Sequence, residues 1–376
     1  MPHKAERGVF ELKQGRILCV TDRQNGRGAL VVPVEGLDVE TLEQLRSLAG
    51  PLRLVVTAHR GRAMGIDAPE GTGDLSLNLD HPETPDTIMG LATDPRTARS
   101  NGSRLSFDPR PTTPAESAGL ALTRFGHLLP AVVVVEASND APMVARWIED
   151  GTVLQVSSEE VFEAVERSRI EITRVAEAPV PLAGAEHSRF VFFREGGGFL
   201  EHVAVLIGPR ESWPEPVPVR LHSACLTGDL FGSLRCDCGE QLRGSLDHFK
   251  KRGGGVLVYL AQEGRGIGLG NKIRAYTLQD TGLDTVDADG VLGFGADERM
   301  YDAAVAILRH LEITQVELLT NNPAKVAAVE EGGISVLERT PIFGGINRHN
   351  LRYVRAKLDR SGHWLMDMIS QPASAD

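Results

Sequence analysis

The sequence is poor in cysteine, in aromatic residues and in long apolar runs. Its 376 residues include four cysteines, and 5% of them are aromatic. So few cysteines, most of them in one cluster, do not build a disulfide framework. No apolar run approaches the ~20 residues that span a bilayer, and the N-terminal residues lack a signal-peptide pattern. We therefore expect a cytoplasmic protein with no membrane partner.

Runs of basic residues are also absent. The formal net charge is -11 at pH 7, whereas non-specific binding to a nucleic-acid backbone needs clustered lysine and arginine. We expect no nucleic-acid partner, although local basic residues can still hold a triphosphate. The length and a hydrophobic fraction of 41% allow more than one core, so two domains are expected.

The cysteines are concentrated in residues 220–242, which read RLHSACLTGDLFGSLRCDCGEQL. They are Cys225, Cys236 and Cys238, with His222 just upstream. Thiolates are soft zinc ligands, and three of them leave a tetrahedral position open for a water whose pKa zinc lowers towards neutrality. The spacing lacks the second ligand pair of a zinc finger. Reduced cysteines in an intracellular core are the alternative, and spacing alone leaves both interpretations open.

The residues around these cysteines extend the pattern. The run HSACLTGDLFGSLRCDCGEQL resembles the signature of GTP cyclohydrolase II, an enzyme that opens the imidazole ring of GTP at the start of riboflavin synthesis. The resemblance continues through roughly the C-terminal half of the chain. It implies GTP as the substrate, a homodimer, and a zinc ion (Zn²⁺) held by Cys225, Cys236 and Cys238.

Alternating apolar runs and polar turns predict an α/β domain that ends near Ile170. The predicted elements are a β-hairpin at 15–32, a helix at 39–49, a strand at 52–59, mostly loop at 67–114, a helix at 115–125, a strand at 131–137 and a helix at 161–169. Within this half, we expect Cys19 and His127 to be packing residues rather than metal ligands.

This N-terminal half resembles 3,4-dihydroxy-2-butanone 4-phosphate synthase, the domain fused before GTP cyclohydrolase II in many bifunctional riboflavin proteins. The order of elements and residues 137–153 (ASNDAPMVARWIEDGTV) carry the resemblance. That family binds magnesium through glutamates in a loop after the first strand and a histidine in a Gly-His-Thr-Glu segment. Here residues 22–28 read DRQNGRG and residues 113–117 read TPAES. Because an amide does not replace a carboxylate on a hard cation, we expect a degenerate, catalytically silent domain.

A short linker with prolines, residues 172–181 (ITRVAEAPVP), follows. Its RVAEAxxP pattern resembles the opening of cyclohydrolase II chains. We therefore predict two domains, residues 1–171 and residues 172–376. The predicted fold class is α/β (α+β), with a synthase-like N-terminal domain and a cyclohydrolase II-like C-terminal domain.

A glycine-rich stretch follows a predicted buried strand at 256–261. It reads QEGRGIGLGNK; its glycines allow a ligand to approach the backbone, and Arg265 and Lys272 can neutralise phosphate. It matches neither the P-loop nor the dinucleotide pattern, but it does match the EGRGIGLxNKxxAYxLQD signature of the cyclohydrolase II family. That resemblance implies nucleotide contacts from Arg220, Gln241, Glu263, Arg265, Thr285, Thr320 and Lys325.

The resemblance also implies catalytic residues. Asp297 and Arg299 precede a predicted helix, and the family resemblance makes Asp297 a proton acceptor and Arg299 a nucleophile or a clamp at the α-phosphate. Because a guanidinium is effectively always protonated, we favour electrostatic stabilisation by Arg299, with covalent attack left open. Tyr276 is expected to orient or protonate the ring that opens.

The implied reaction releases formate and pyrophosphate from GTP, with magnesium (Mg²⁺) on the phosphates. The implied product is 2,5-diamino-6-ribosylamino-4(3H)-pyrimidinone 5′-phosphate. Two positions depart from the family pattern: Ala224 stands where glutamate is usual, and Met300 where aspartate is usual. Two alternatives therefore stay open. One is a homologue that acts on another nucleotide or stops at a formylated product, and the other is a non-catalytic nucleotide-binding regulator.

Overall fold

The computed structural model describes residues 3–23, 26–48, 50–66, 73–79, 83–94, 96, 108–138, 142–351, 355, 358, 360 and 364. By packing, the chain divides into a first unit, residues 1–166 with 270–298, and a second unit, residues 167–269 with 299–376. Each unit contains a seven-stranded sheet and helices, so the α/β fold class is confirmed. The boundary between residues 171 and 172 stays a prediction. Among the described residues, no helix combines the length and the apolar character needed to cross a bilayer.

The sheet of the first unit has the strand order β5-β4-β3-β6-β2-β1-β7. Its strands are β1 (Leu18–Thr21), β2 (Arg27–Pro33), β3 (Leu52–Val56), β4 (Leu75–Asn78), β5 (Arg110–Pro111), β6 (Ala131–Ser138) and β7 (Leu154–Ser157). The helices before the second unit are α1 (Lys4–Lys13), α2 (Val39–Arg46), α3 (Ala58–Ala63), α4 (Pro85–Thr93), α5 (Pro114–Phe125), α6 (Pro142–Glu149) and α7 (Ser158–Ile170).

Several predicted elements of the first unit are confirmed. Strands β1 and β2 pair antiparallel as the expected hairpin; Gln24 and Asn25 in its turn lie outside the described residues. Helix α5 begins with a capping box, in which the Thr113 side chain accepts from the Glu116 N–H and the Glu116 carboxylate accepts from the Thr113 N–H. Cys19 is fully buried in the core, as expected of a packing residue.

The prediction of mostly loop at 67–114 is wrong in part. Strand β4 and helix α4 both fall inside it. The start of α4 has a local signal, because the Thr84 side chain accepts from the Thr87 N–H at 3.2 Å and Pro85 occupies the first turn. Residues 67–72, 80–82, 95 and 97–107 of this prediction lie outside the described residues.

The sheet of the second unit has the order β14-β13-β11-β12-β10-β9-β8. Its strands are β8 (Ile172–Pro179), β9 (Ser188–Glu195), β10 (Glu201–Ile207), β11 (Val217–Ser223), β12 (Gly255–Leu260), β13 (Gln315–Leu319) and β14 (Ser335–Thr340). Strands β11, β12 and β13 are mutually parallel neighbours with β11 in the middle. Their carboxyl ends therefore meet at one edge, where ligands of such sheets usually bind.

The remaining helices are α8 (Cys238–Arg252), α9 (Leu269–Asp280), α10 (Thr285–Val291), α11 (Asp302–His310) and α12 (Pro323–Glu331). Most of α9 and all of α10 belong to the first unit. In the second unit, fully buried apolar residues of β11, β12 and β13 pack with α11 and α12 in one core. This core holds the three parallel strands, and with them the loops at their carboxyl ends.

Candidate active site

Three loops meet at the carboxyl ends of the parallel strands in the second unit. The loop after β11 carries Cys225, the loop after β12 carries Glu263, and Thr320 directly follows β13. The first two loops are joined by hydrogen bonds, because the Leu226 N–H donates to Glu263 Oε2 at 2.6 Å and the Gln262 amide donates to Ser223 Oγ at 3.0 Å. Sheet topology therefore brings together residues that are far apart in the sequence.

The predicted metal ligands converge. The Sγ atoms of Cys225, Cys236 and Cys238 all lie within 4.8 Å of one another, and the Sγ atoms of Cys225 and Cys236 are 3.7 Å apart. Two thiolates on one tetrahedral zinc, at about 2.3 Å each, are roughly 3.8 Å apart. The spacing of the sulfur atoms thus fits a single zinc ion.

Two glycines allow this close approach. Gly228 lies in a π-helical turn, Leu226–Leu230, and a Cβ atom there would lie 2.7 Å from Cys236 Sγ and 3.0 Å from Cys225 Sγ. A Cβ atom on Gly239, in the first turn of α8, would lie 2.3 Å from the Gly228 carbonyl oxygen. The turn and the helix can therefore pack around the sulfur atoms only because neither residue has a side chain.

Asp229 organises the loop that carries Cys225. Its carboxylate accepts from the Cys225 N–H at 3.0 Å, from the Tyr259 hydroxyl at 2.9 Å and from His222 Nε2 at 3.1 Å. The His222 and Tyr259 rings stack with centroids 5.6 Å apart. Groups that support a metal ligand in this way tune its orientation, so Asp229 is a positioning residue for Cys225.

The three thiols lie close enough together to affect one another's ionisation. Hydrogen bonding with Cys225 raises the pKa of Cys236 to about 11, and contacts with Cys225 and Cys236 also raise the pKa of the Cys238 thiol. Three thiolates this close together repel one another, and a zinc ion bound between them would offset that repulsion. The donor set, its spacing and its charge all fit zinc.

Arg220 and Gln241 meet beside this cluster. Arg220 donates from Nη2 to Gln241 Oε1 at 2.6 Å and from Nη1 to the Leu319 carbonyl at 2.8 Å. Gln241 in turn donates to Asp237 at 2.6 Å. Asp237 stands between Cys236 and Cys238 in the sequence. Burial lowers the pKa of Arg220 to about 10, and its Nε is buried without a hydrogen-bond partner among the described residues. This places a positive charge and an amide at the strand ends.

Two consecutive residues in the loop after β12 have positive φ angles. Gly264 and Arg265 have φ values of 64° and 61°, and a positive φ is uncommon for a residue with a side chain such as Arg265. Glu263 accepts from the Leu226 N–H and, at 3.1 Å, from the Gly264 N–H. Because these two donors come from different loops, the Glu263 carboxylate links the loop after β11 to the loop after β12.

Thr320 and Lys325 come from the chain that follows strand β13. Lys325 donates to the Leu221 carbonyl at 2.6 Å and its Nζ lies 5.7 Å from the centre of the Tyr301 ring. The Thr320 hydroxyl accepts from the Asn322 N–H at 3.0 Å. Both side chains are buried, which gives the site a second cation in a low-dielectric environment.

The remaining predicted site residues are divided between the two units. Tyr276 on α9, Thr285 at the start of α10 and Asp297 belong to the segment 270–298 of the first unit, whereas Arg299 begins the next part of the second unit. Tyr276 is half-buried, with Lys272 Nζ 5.8 Å from its ring centre. Asp297 is exposed and lies in irregular chain.

The two departures from the family pattern are both in the second unit. The Ala224 N–H donates to the Leu260 carbonyl at 2.8 Å, and the Met300 N–H donates to the Gln262 side chain at 3.3 Å. Both residues therefore use their backbone to hold neighbouring loops. The Met300 side chain is 42% exposed, so it occupies no core position.

The first unit has a cavity of about 440 Å³ at the two synthase-like segments. Its lining includes Asp22, Arg27, Arg110, Glu116 and Glu136. The buried Glu116 carboxylate accepts from two nitrogens of Arg110 at 2.8 and 3.0 Å, and also from a hydroxyl and a backbone N–H. Arg27 and Arg110 thus place positive charge in this cavity; the catalytically silent domain stays a prediction.

Sequence reasoning missed Asp229, Tyr259, Gly228 and Gly239 as parts of the site. Three of them lie in the cysteine-containing stretch that was singled out, and the two glycines in that stretch were a usable signal of close backbone packing. Tyr259 has no local signal, because it reaches Asp229 through strand β12.

Comparisons with known proteins show which family this chain is similar to. The family model described as GTP cyclohydrolase II matches residues 173–341. GTP cyclohydrolase-2 of Azospirillum brasilense is 41% identical over 365 residues, which cover 95% of this chain and 93% of that protein. Riboflavin biosynthesis protein RibBA of Phocaeicola vulgatus is 34% identical over 396 residues, covering 96% and 97%.

Among solved structures, a two-domain 3,4-dihydroxy-2-butanone 4-phosphate synthase from A. baumannii is similar over 90% of this chain and 98% of that chain. The sequence identity is 14% and the TM-score 0.33, a likeness too low to carry an argument.

Proposed function

The chain belongs to the GTP cyclohydrolase II family, an enzyme family of riboflavin biosynthesis, and we propose that it hydrolyses GTP in a zinc-dependent reaction. The products are 2,5-diamino-6-ribosylamino-4(3H)-pyrimidinone 5′-phosphate, formate and pyrophosphate. The observation that carries this proposal is the convergence of Cys225, Cys236 and Cys238 at the carboxyl ends of the parallel strands.

Zinc would be held by the three thiolates and would supply Lewis acidity and an activated water. One water adds at C8 of the purine and the imidazole ring opens, and a second releases formate. A third cleaves the α–β phosphoanhydride, with Mg²⁺ on the phosphates. Asp229 keeps Cys225 in place during these steps by holding its backbone N–H.

The nucleotide would be bound by the charged and amide side chains around the strand ends. Glu263 suits the adjacent N–H donors of guanine because a carboxylate is an acceptor only. Arg220, Arg265 and Lys325 would compensate phosphate charge, and Gln241, Thr285 and Thr320 complete the proposed contacts. Buried cations such as Lys325 act strongly on a bound anion because water does not screen them.

We further propose chemical roles for three residues. Asp297 accepts a proton, Tyr276 orients or protonates the opening ring, and Arg299 stabilises charge at the α-phosphate. These roles rest on the family resemblance of the stretches that contain them. A guanidinium is a better charge stabiliser than a nucleophile, which favours the electrostatic role for Arg299.

The test is mass spectrometry of GTP incubated with purified, zinc-loaded protein and magnesium. We expect formate, pyrophosphate and the diaminopyrimidine phosphate together. A product that keeps its formyl group would show that Ala224 and Met300 truncate the reaction. Unchanged GTP would refute the proposal; turnover of ATP, CTP or UTP would then support a retuned enzyme, and no turnover of any nucleotide a regulator.

A homodimer in the cytoplasm is part of the proposal. Leu230, Phe231 and Leu234 are 70%, 74% and 59% exposed within one stretch of the second unit, and grouped exposed apolar side chains favour a protein partner. Light scattering should give twice the chain mass of 40.6 kDa. A monomer at micromolar concentration would exclude the dimer.

A further inference from the structure

The segment 270–298 packs with residues 1–166, although the chain on both sides of it belongs to the second unit. The cyclohydrolase II match, residues 173–341, runs through this segment without interruption. A stretch of the matched sequence is therefore held by the half of the chain that we expect to be catalytically silent. The contacts that hold it are specific.

The first group of contacts caps helix α10. Arg60 is 1% exposed and donates from Nη1 to the Val291 carbonyl at 2.9 Å, while its other nitrogens donate to the Leu91 carbonyl. The Thr57 hydroxyl donates to the Gly293 carbonyl at 2.6 Å. The last carbonyls of a helix lack partners within the helix, and here residues of α3 and its N-cap supply the donors.

Gly293 shows how closely the segment fits. It has a φ of 91°, and a Cβ atom there would lie 3.0 Å from Pro130 Cγ and 3.1 Å from Thr57 Oγ1. The backbone of the segment thus lies directly against the first unit. Such an approach leaves little freedom for the chain that follows α10.

The second group of contacts holds the two ends of the segment. On α9, Arg274 pairs with Glu35 at 2.5 Å, and the Asn271 side chain donates to the His127 carbonyl at 3.1 Å. At the other end, Glu298 pairs with Arg124 at 2.6 Å. Because Glu298 directly follows Asp297, this ion pair restrains the backbone of a proposed catalytic residue.

We propose that residues 1–166 are a positioning element for the segment 270–298. The proposal rests on the proposed function, because the segment carries Tyr276, Thr285 and Asp297. Helix α10 has seven residues, far fewer than the roughly 12 to 15 at which an isolated helix becomes even marginally stable. Its conformation is therefore set by packing, and the silent half provides that packing.

The test uses full-length protein and reverses one ion pair. Arg274→Glu places a second carboxylate next to that of Glu35. The double variant Glu35→Arg with Arg274→Glu restores a pair of opposite charges. We expect Arg274→Glu to raise deuterium uptake of peptides within 270–298. It should lower kcat by about 10- to 100-fold, since a small misplacement of a catalytic group can cost on the order of 100-fold, and the double variant should recover both.

The matched control is Glu43→Arg, which breaks an exposed pair with Arg46 elsewhere in the first unit. It should change neither uptake in 270–298 nor kcat, and zinc content should be the same in all variants. Unchanged uptake in Arg274→Glu would overturn the anchoring, and raised uptake with an unchanged kcat would overturn the positioning role.

Different results would refute the proposed function and the positioning of residues 270–298. Wild-type protein that turns over no nucleotide would refute the proposed function, whereas the uptake measurement would still report whether the first unit holds the segment. Thr57→Val is a second variant in case charge reversal unfolds the protein. It removes the hydroxyl that donates to the Gly293 carbonyl and should raise uptake near residue 293.

Discussion

The cysteine cluster of the second unit and the cavity of the first unit both contain side chains of types that ligate metals, but the surroundings of these side chains differ. In the cluster, the three Sγ atoms all lie within 4.8 Å of one another, and the Asp229 carboxylate accepts from the Cys225 backbone N–H. In the cavity, the carboxylate of Glu116 is saturated by arginine, hydroxyl and backbone donors. Whether a group of side chains can hold a metal ion therefore depends on how their ligand atoms are arranged, and not only on the presence of ligating residue types.

The largest expected effect comes from a cluster cysteine. Cys236→Ser replaces a soft thiolate with a hydroxyl that zinc binds poorly. We expect loss of the bound zinc, measured by metal analysis after dialysis, and a fall in GTP turnover of at least about 1,000-fold, in line with loss of an essential group. Retention of one zinc per chain by this variant would show that the cluster is not the metal site.

Cys19 is the contrasting cysteine in the first unit. Burial raises the pKa of its thiol from the ordinary 9.0 to about 11, so the buried neutral form stabilises the fold fully below pH 9. That stabilisation is lost as the pH rises from 9 to 11, by up to about 3 kcal/mol. Urea unfolding across this range should show a smaller loss for Cys19→Ala than for wild type; equal losses would exclude the thiol as their source.

Asp229→Asn tests the support of the cluster. The variant keeps the size of the side chain but removes the charge that accepts from Cys225, Tyr259 and His222. We expect zinc affinity, measured by chelator competition, to fall by about 10- to 100-fold. Asp247→Asn on the exposed face of α8 is the control, and equal affinities in the two variants would contradict a positioning role.

The smallest effect is expected in the cavity. Glu116→Gln weakens the hydrogen bonds to Arg110 and the capping box of α5, which should lower the free energy of unfolding by about 1–2 kcal/mol. Zinc content and GTP turnover should not change at a temperature where the variant is folded. A loss of turnover in fully folded protein would mean that the cavity takes part in the reaction.

Sequence alone predicted most of the fold because its signals are local. The hairpin of β1 and β2 follows from two apolar runs around a polar turn, and α5 begins at a Thr-Pro cap. Strand β4 was missed because four residues in a polar stretch carry too little periodicity. The cysteine ligand set was predicted from residue type and motif, and the observed spacing of the sulfur atoms fits it.

Other features depend on contacts between residues far apart in the sequence. Tyr259 reaches Asp229 across 30 positions, and Thr57 reaches Gly293 across 236. No local pattern encodes such pairs, so neither the contact of Tyr259 with Asp229 nor the packing of residues 270–298 could be predicted. The π-helical turn at Gly228 is likewise a packing solution, and its only sequence signal is the glycine itself.

The cysteines lie on two different elements, since Cys225 follows strand β11 and Cys238 begins helix α8. An ion bound by Cys225, Cys236 and Cys238 would link the end of strand β11 to the start of helix α8. Because such an ion would bind the folded state and not the unfolded chain, it would add stability that grows with the logarithm of its free concentration. The melting temperature of the second unit would then report the zinc supply, so the protein would be least durable where the metal is scarce.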